Sequence, residues 1–214
     1  QRLLDLFVLG VPSYRQRFGS PTSAASRERF YRLLRACCAQ VEQLREPFEG
    51  AIECDETTFG GARKGKRGWG AAGKVIVFGL VKRNGRVKAM PIPAHDRVSI
   101  MREIDAHTRE GALYYTDQWQ AYATLKLRGE HVMIRKEKGR PVGRDHINGI
   151  EGFWSYAKNL LYPYRGVPRQ YFHLYLAEVC YRYNHRGEDL KPLIFKLLKQ
   201  TSIQELRLTL VRKG

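Results

Sequence analysis

The stretch AIECDETTF, residues 51–59, decides the fold of this chain. Its apolar and β-branched residues predict a buried β-strand, and Asp55 lies in the middle of it. A carboxylate inside a buried strand costs free energy unless it is paired or binds a cation. Side chains alternate between the two faces of a sheet, so only one of Asp55 and its natural rival Glu56 can face a given site. We take Asp55 as the candidate functional residue.

The sequence after this strand predicts a mixed sheet flanked by helices. Strands are predicted at 74–82 and 86–92, and the Asn84-Gly85 pair between them is typical of a two-residue hairpin turn. Further strands are predicted at 112–116 and 131–135, and helices at 97–109, 118–127, 147–161 and 169–185. This succession predicts an α/β fold, and it is the order of elements in an RNase H-like core.

Residues 1–46 are predicted to form a small helical segment of their own. Apolar residues recur at helical spacing near the N-terminus and again between Ser23 and Leu44, with a Gly-Ser-Pro turn just before the second stretch. The last helix is basic, through Arg27, Arg29, Arg32 and Arg35. The pattern predicts a helix-turn-helix-like DNA-binding segment, and a plain helical cap with solvated arginines is the alternative. The predicted domains are therefore 1–46 for this segment, 47–190 for an RNase H-like catalytic domain and 191–214 for a helical tail.

The charge of the chain narrows the class of partner. Its 214 residues include 38 Lys and Arg against 21 Asp and Glu, which gives a formal net charge of +17 and a pI of about 10.0. Such an excess favours phosphate backbones or anionic membranes. No apolar run approaches the roughly 20 residues of a membrane-spanning helix, and no secretory signal pattern is present. We therefore expect nucleic acid as the partner and no membrane association.

The cysteines argue against a zinc site. Cys37, Cys38, Cys54 and Cys180 form no CxxC pair and have no histidine at a spacing typical of zinc ligands. We predict that they are small, buried hydrophobic residues and that the protein works in the reducing cytoplasm.

Two further carboxylates complete a candidate metal site with Asp55. Asp117 ends the predicted strand 112–116, where open α/β sheets present ligands, although a turn or cap role would also explain an Asp there. Glu151 lies on the predicted helix 147–161. In an RNase H-like core the first two acids lie on neighbouring strands with this helix beside them, so the three could hold two Mg²⁺ ions about 4 Å apart. An all-carboxylate set suits Mg²⁺ better than zinc, with Mn²⁺ as a substitute.

Four segments resemble bacterial insertion-sequence transposases with a DDE triad, most closely the insertion-sequence family numbered fifteen-ninety-five: DETTFGGARKGKRGWG, TDQWQAY, HINGIEGFWSYAK and LAEVCYRYNHR. The resemblance implies Mg²⁺-dependent cleavage at the ends of a mobile DNA element and strand transfer into target DNA, on the bacterial nucleoid. It also implies that Asp55, Asp117 and Glu151 are the catalytic, metal-binding triad. Lys158, seven residues after Glu151, is the implied fourth catalytic residue and would contact DNA phosphate, with an ordinary exposed helix lysine as the alternative.

Two basic loops next to the predicted acids are candidate DNA contacts. The first follows the strand of Asp55 and combines cations, glycines and a tryptophan. The second precedes the helix of Glu151. The candidate residues are Lys64, Lys66, Arg67, Trp69 and Lys74 in the first loop, Arg135, Lys136, Lys138 and Arg140 in the second, and His146 and Asn148 beside Glu151. Solvated surface loops, and a helix-capping role for the last two residues, are the alternatives.

These features predict a DDE transposase that acts on the terminal inverted repeats of its element and on target DNA. The resemblance leads us to expect a homodimer or larger assembly on DNA, since two ends must be held together. Two alternatives use most of the same residues. One is an RNase H-like nuclease that cuts without joining, and the other is a non-catalytic DNA-binding protein derived from a transposase.

Overall fold

The computed structural model describes residues 2–16, 21–60, 74–134, 146–164, 166–202 and 204. Its contacts divide the chain into two compact units, one of residues 46–158 and one of residues 1–45 with 159–214. One division lies where the N-terminal helical segment was predicted to end. The predicted catalytic domain continued to residue 190, whereas the structure groups the helices after residue 158 with the N-terminal helices, because their apolar faces pack together.

The unit of residues 46–158 is built on a five-stranded mixed sheet. Its strands are β1 Ala51–Phe59, β2 Val75–Lys82, β3 Val87–Ile92, β4 Leu113–Thr116 and β5 Glu130–Met133. They lie in the order β3-β2-β1-β4-β5. The first three strands form an antiparallel meander, whereas β4 pairs in parallel with both β1 and β5. The strands of the first two predicted acids are therefore neighbours, and the prediction of an α/β, RNase H-like mixed sheet is confirmed.

The hairpin between β2 and β3 lies where the sequence predicts it, but its tight turn is centred on Arg83 and Asn84 and not on the Asn84-Gly85 pair. Asn84 has a φ of +57°, and the N–H of Gly85 donates to the carbonyl of Lys82 at 2.9 Å. A tight hairpin turn requires left-handed backbone at its centre, and Asn tolerates that conformation better than most residues.

Alternation along β1 separates the two faces of the sheet. Ile52 and its alternate neighbours face a core shared with α3 (Arg97–His107). The residues between them, Glu53 and Asp55, contact α4 (Asn148–Leu161). The core on the α3 side consists mainly of Ile52, Cys54, Phe78, Leu80, Ile100, Ile104, Tyr114, Tyr122 and Leu125.

The segment between β4 and β5 differs from its prediction. A helix was expected over 118–127, but the structure has two 3₁₀ turns, at Gln120–Tyr122 and Leu125–Leu127. The side chain of Asp117 accepts the N–H of Trp119 at 3.0 Å, and the backbone at Trp119 is extended. This local hydrogen bond starts a turn where a helix would otherwise begin.

The other unit is a group of helices. Its elements are α1 Arg2–Val8, α2 Ala24–Gln43, α5 Phe172–Asn184 and α6 Leu190–Gln200, with 3₁₀ turns at Ser13–Gln16 and Arg169–Tyr171. Ser23 caps α2 by accepting the N–H of Ser26 at 3.1 Å. The apolar faces of the helices enclose a core of Leu4, Phe7, Tyr31, Leu34, Cys38, Tyr181 and Ile194.

The basic surface predicted for α2 is wrong at two of its four arginines. Arg27 is 4% exposed and Arg35 is 0% exposed. The Nε atom of Arg35 lies 2.7 Å from Oε2 of Glu178, and the guanidinium of Arg32 stacks 3.7 Å from the ring centroid of Tyr171. Because α2 is enclosed by neighbouring helices, guanidinium groups that point inward must be paired. A helix-turn-helix-like DNA-binding role for this segment stays a prediction.

All four cysteines are free and buried, as predicted. Burial raises the pKa of the Cys37, Cys38 and Cys54 thiols, so they pack as apolar side chains and are poor nucleophiles. Within the residues that the structure describes, no helix combines the length and the apolar character needed to cross a lipid bilayer.

Candidate active site

Asp55 and Asp117 lie at the same level on neighbouring parallel strands. The last paired residues of β1 and β4 are Glu53 and Tyr115, and each aspartate follows two residues later. Both aspartates are half-buried. The carboxyl end of a parallel strand is where α/β sheets present ligands, and Asp117 directly follows β4. The structure therefore brings the first two predicted acids to one level of the sheet.

Helix α4 contacts β1 at two points on either side of Glu151. The indole Nε1–H of Trp154 donates to Oδ2 of Asp55 at 3.0 Å. The N–H of Ile150 donates to Oε2 of Glu53 at 2.9 Å. Glu151 lies in the first turn of α4 and is exposed. The third predicted acid is thus on the helix that contacts the strand of the first.

The contact of Trp154 with the sheet depends on a glycine in β2. Gly79 is paired with Asp55 across the two strands. A Cβ atom at position 79 would lie 2.5 Å from Cζ2 of Trp154, too close for any side chain to fit without displacing the indole. Glycine at this position lets the indole lie against the sheet directly beside Asp55.

Glu56 faces the other side of the sheet, as strand alternation predicts. It is 8% exposed, and its carboxyl accepts a hydrogen bond from the hydroxyl of Tyr122. Burial raises the pKa of Glu56 to about 8, with the charges of Asp55 and Asp117 acting in the same direction and the Tyr122 hydrogen bond opposing them. Near neutral pH the carboxyl of Glu56 is therefore mainly protonated and packed as a neutral group.

An aromatic stack adjoins Asp117. The rings of His95 and Trp119 are parallel to within 1°, with centroids 3.8 Å apart. Burial lowers the pKa of His95, and the charge of Asp117 opposes that effect. The stack favours a neutral imidazole, and it packs the residue whose N–H binds the Asp117 carboxylate.

Residues 47–184, well over half of the chain, match the model of the ISXO2-like transposase domain. The chain belongs to this transposase family. The resemblance to insertion-sequence transposases is thereby confirmed. An uncharacterized transposase-like protein of Haemophilus influenzae is 28% identical over 119 residues, which are 55% of this chain and 97% of that protein. The catalytic core domain of BIV integrase, in its crystal form I, is similar over 62% of this chain and 82% of its own, with a TM-score of 0.40 and 19% identity.

Three other predicted site residues lie on or just before α4. Lys158 is exposed on the same helix as Glu151. The N–H of Asn148 donates to Nδ1 of His146 at 3.4 Å, and that nitrogen lies 3.8 Å from Oε1 of Glu53. His146 thus accepts a backbone N–H at the start of α4, as its helix-capping alternative expects, and DNA contact by His146 and Asn148 stays a prediction.

Most of the predicted DNA-contacting side chains lie outside the described residues: Lys64, Lys66, Arg67, Trp69, Arg135, Lys136, Lys138 and Arg140. Lys74 is described, and it is half-buried just before β2 begins. DNA binding by both basic loops therefore stays a prediction.

The donor chemistry of the three predicted acids fits a hard divalent cation. Asp55, Asp117 and Glu151 offer only carboxylate oxygens, which are the ligands that Mg²⁺ prefers. In the described parts of the chain, however, no group of three or more His, Cys, Asp or Glu side chains is arranged to hold a metal ion. The structure brings two acids to one level and the third to an adjoining helix, and the triad as a complete set of metal ligands stays a prediction.

Sequence reasoning missed the residues that surround the triad. The pattern of the sequence favours simple core packing for Trp154, which is 5% exposed, but its indole N–H also binds Asp55. Glu53 and Gly79 were not among the predicted site residues either. A second acid two residues before Asp55 and a glycine in a strand interior were the available signals, since such a glycine often marks a close approach.

Proposed function

We propose that this chain is an active DDE transposase that cuts DNA at the ends of its insertion sequence and joins the freed 3′ ends to target DNA. One observation carries the proposal: Asp55 and Asp117 each follow by two positions the last paired residues of two neighbouring parallel strands, and the helix of Glu151 contacts Asp55 through Trp154. Membership of a transposase family and a net charge of +17, which favours DNA as the partner, also support the proposal. The substrate is accordingly double-stranded DNA with terminal inverted repeats.

The proposed roles follow from the chemistry of each side chain. The oxygens of Asp55, Asp117 and Glu151 would hold a divalent metal, which would supply Lewis-acid chemistry for the attacking and the leaving oxygen. Trp154 keeps the Asp55 carboxylate in one orientation through its indole N–H. The ammonium of Lys158 contacts a DNA phosphate on the exposed face of α4.

Strand joining by purified protein tests the proposal. The substrate is DNA that carries the ends of the insertion sequence, with Mg²⁺ and a circular target. We expect Asp117→Asn to reduce both cleavage and joining by more than the roughly 100-fold that residues around a metal site usually contribute. Glu103→Gln, on α3 and paired with Arg102, is the matched control and should remain active. Undiminished joining by Asp117→Asn would contradict the assignment.

The same assay separates the alternatives. Cleaved ends that are never joined would indicate an RNase H-like nuclease, and metal-independent binding without cleavage would indicate a DNA-binding protein derived from a transposase. We also propose a dimer or larger assembly on DNA, because two element ends must be held together for joining. The mass of the protein–DNA complex in light scattering, with one or two ends supplied, tests this part.

A further inference from the structure

Glu53 is a buried carboxylate that the proposed mechanism leaves without a role. It is 1% exposed, and its side chain lies on the same face of β1 as Asp55, toward the start of α4. Oε1 lies 3.0 Å from Nε of Arg83, and Oε2 accepts the N–H of Ile150 at 2.9 Å. A carboxylate this deeply buried requires such partners, because an unpaired charge there would be very unfavourable.

The bond to Ile150 satisfies a backbone group at the beginning of a helix. The first N–H groups of any helix have no acceptor within it, and a side chain just before the helix usually accepts one of them. In this protein the acceptor comes from β1, 97 residues earlier in the chain. The negative charge of Glu53 also interacts favourably with the positive, N-terminal end of the α4 dipole. Glu53 therefore ties the first turn of α4 to the strand of Asp55.

Arg83 connects further elements to the contact between Glu53 and α4. Its guanidinium pairs with Glu53 and also donates to the carbonyl of His146, just before α4. It is stacked over the ring of Tyr115 in β4, 3.5 Å from the centroid. Strand β1, the residue that follows β2, strand β4 and the start of α4 thus meet at one ion pair.

A glycine in α4 makes room for the contact. A Cβ atom at Gly149 would lie 2.8 Å from Oε2 of Glu53, so a side chain there would displace the carboxylate. A Cβ atom at Gly152, one turn further along the same helix, would meet nothing within 4 Å. Position 149 therefore requires glycine because the Glu53 carboxylate lies there, and not because the helix itself needs a small residue.

We propose that Glu53, held by Arg83, is a positioning residue that fixes Glu151 relative to Asp55. Glu151 directly follows Ile150, whose N–H Glu53 binds, and Asp55 lies two residues after Glu53 on the same face of β1. The second contact of α4 with β1, from Trp154 to Asp55, completes the alignment. The inference rests on the proposed function, since it assigns Glu53 to the geometry of that triad.

Hydrogen exchange tests the tie without any assay of activity. Glu53→Ala should speed exchange of the backbone amides of residues 148–151 by about tenfold or more, because one of them loses its buried acceptor. Glu103→Gln, which alters a carboxylate in the same unit, should leave these amides unchanged. Unchanged exchange in folded Glu53→Ala would overturn the inference.

Metal dependence tests whether the tie matters to the triad. Glu53→Ala should raise the Mg²⁺ concentration for half-maximal joining by about tenfold, as substitutions around metal ligands do, and excess Mg²⁺ should restore part of the rate. A purely structural role would lower the melting temperature and leave the Mg²⁺ requirement unchanged, and that result would overturn the inference. A wild-type protein that neither cuts nor joins would count against the proposed function, while the exchange measurement would still test the tie.

Two alanine variants guard against a folding defect in Glu53→Ala. Gly149→Ala keeps the carboxylate but displaces it, so it should reproduce the faster exchange and the higher Mg²⁺ requirement. Gly152→Ala makes the same chemical change in open space, and its α4 amides should exchange as in the wild type. Identical exchange in the two alanine variants would overturn the inference.

Discussion

At the scale of single residues, the site depends on side chains that serve both packing and orientation. Trp154 is buried among α4 and the sheet, and the same side chain donates a hydrogen bond to Asp55. Gly79 contributes by having no side chain, which leaves room for the indole of Trp154 against the sheet. Neither residue can bind a metal, yet both determine where a carboxylate points.

Replacing Trp154 by Phe separates these two functions. The ring is largely retained while the N–H is lost, so we expect a 10- to 100-fold loss of Mg²⁺-dependent joining at limiting metal. Tyr114→Phe is the control, because it deletes one buried hydroxyl, bonded to Thr108, on the α3 side of the sheet. The control should lower the melting temperature without changing the metal requirement. Equal metal dependence in Trp154→Phe and the wild type would show that the hydrogen bond has no role.

The choice between Asp55 and Glu56 can be tested with two isosteric substitutions. Glu56 is packed as a neutral group against Tyr122, so Glu56→Gln preserves an acceptor for the hydroxyl and should stay within a few-fold of wild-type activity. Asp55→Asn removes a proposed metal ligand, and joining should fall by more than about 100-fold. Melting temperatures show whether both variants are folded. Equal loss in the two variants would reject our choice of Asp55 over its neighbour.

At the scale of elements, α2 and α5 are joined by a buried cluster of charges. Glu178 of α5 lies 2.7 Å from Nε of Arg35 and 2.8 Å from Nε of Arg182. Arg182 also donates to the carbonyls of Phe7 and Val8, so the cluster includes the end of α1. Two buried guanidinium groups share this carboxylate, and its removal leaves them uncompensated.

Glu178→Gln should therefore destabilise the folded protein by about 3–5 kcal/mol at pH 7. Burial alone would raise the pKa of Glu178, but the charges of Arg35 and Arg182 outweigh it and hold that pKa below its ordinary value. A lowered carboxyl pKa stabilises the folded state above the unfolded pKa, and the contribution is lost as pH falls through the folded pKa. The difference between variant and wild type should then shrink below about pH 4.5, the ordinary pKa of a glutamate side chain. Urea denaturation at several pH values measures it, and a difference independent of pH would contradict the charge assignment.

Elements were predictable from the sequence wherever the pattern is local. The strands, the position of the hairpin near Asn84 and α4 follow from alternation, turn chemistry and helical period, all of which act within a few residues. The contacts at the site could not be predicted, because they join residues almost a hundred positions apart: Glu53 to Ile150 and Asp55 to Trp154. For the same reason Arg35 looked solvent-exposed, since its partner Glu178 on α5 lies 143 positions away in the chain.

At the scale of the whole molecule, the net charge of +17 predicts that DNA binding weakens as the salt concentration rises. Each phosphate neutralised by a cation releases counterions, so the logarithm of the affinity falls linearly with the logarithm of the salt concentration. If six to ten phosphates are contacted, affinity for any DNA should fall by about 10³- to 10⁵-fold between 50 and 200 mM salt. The slope of log affinity against log salt concentration is therefore a measure of the number of phosphate contacts, whatever the DNA sequence.

The slope of log affinity against log salt concentration also shows whether a single lysine contacts a DNA phosphate. Lys158→Met should reduce the magnitude of this slope by about one, because Lys158 is exposed on α4, the helix that contacts the strand of Asp55. Lys126→Met is the matched control: Lys126 is also exposed, but it adjoins Leu125 in the core on the α3 side of the sheet. Fluorescence anisotropy with one labelled duplex at five salt concentrations gives both slopes. A reduced slope in Lys126→Met with none in Lys158→Met would move the DNA to the α3 side of the sheet, away from the proposed triad.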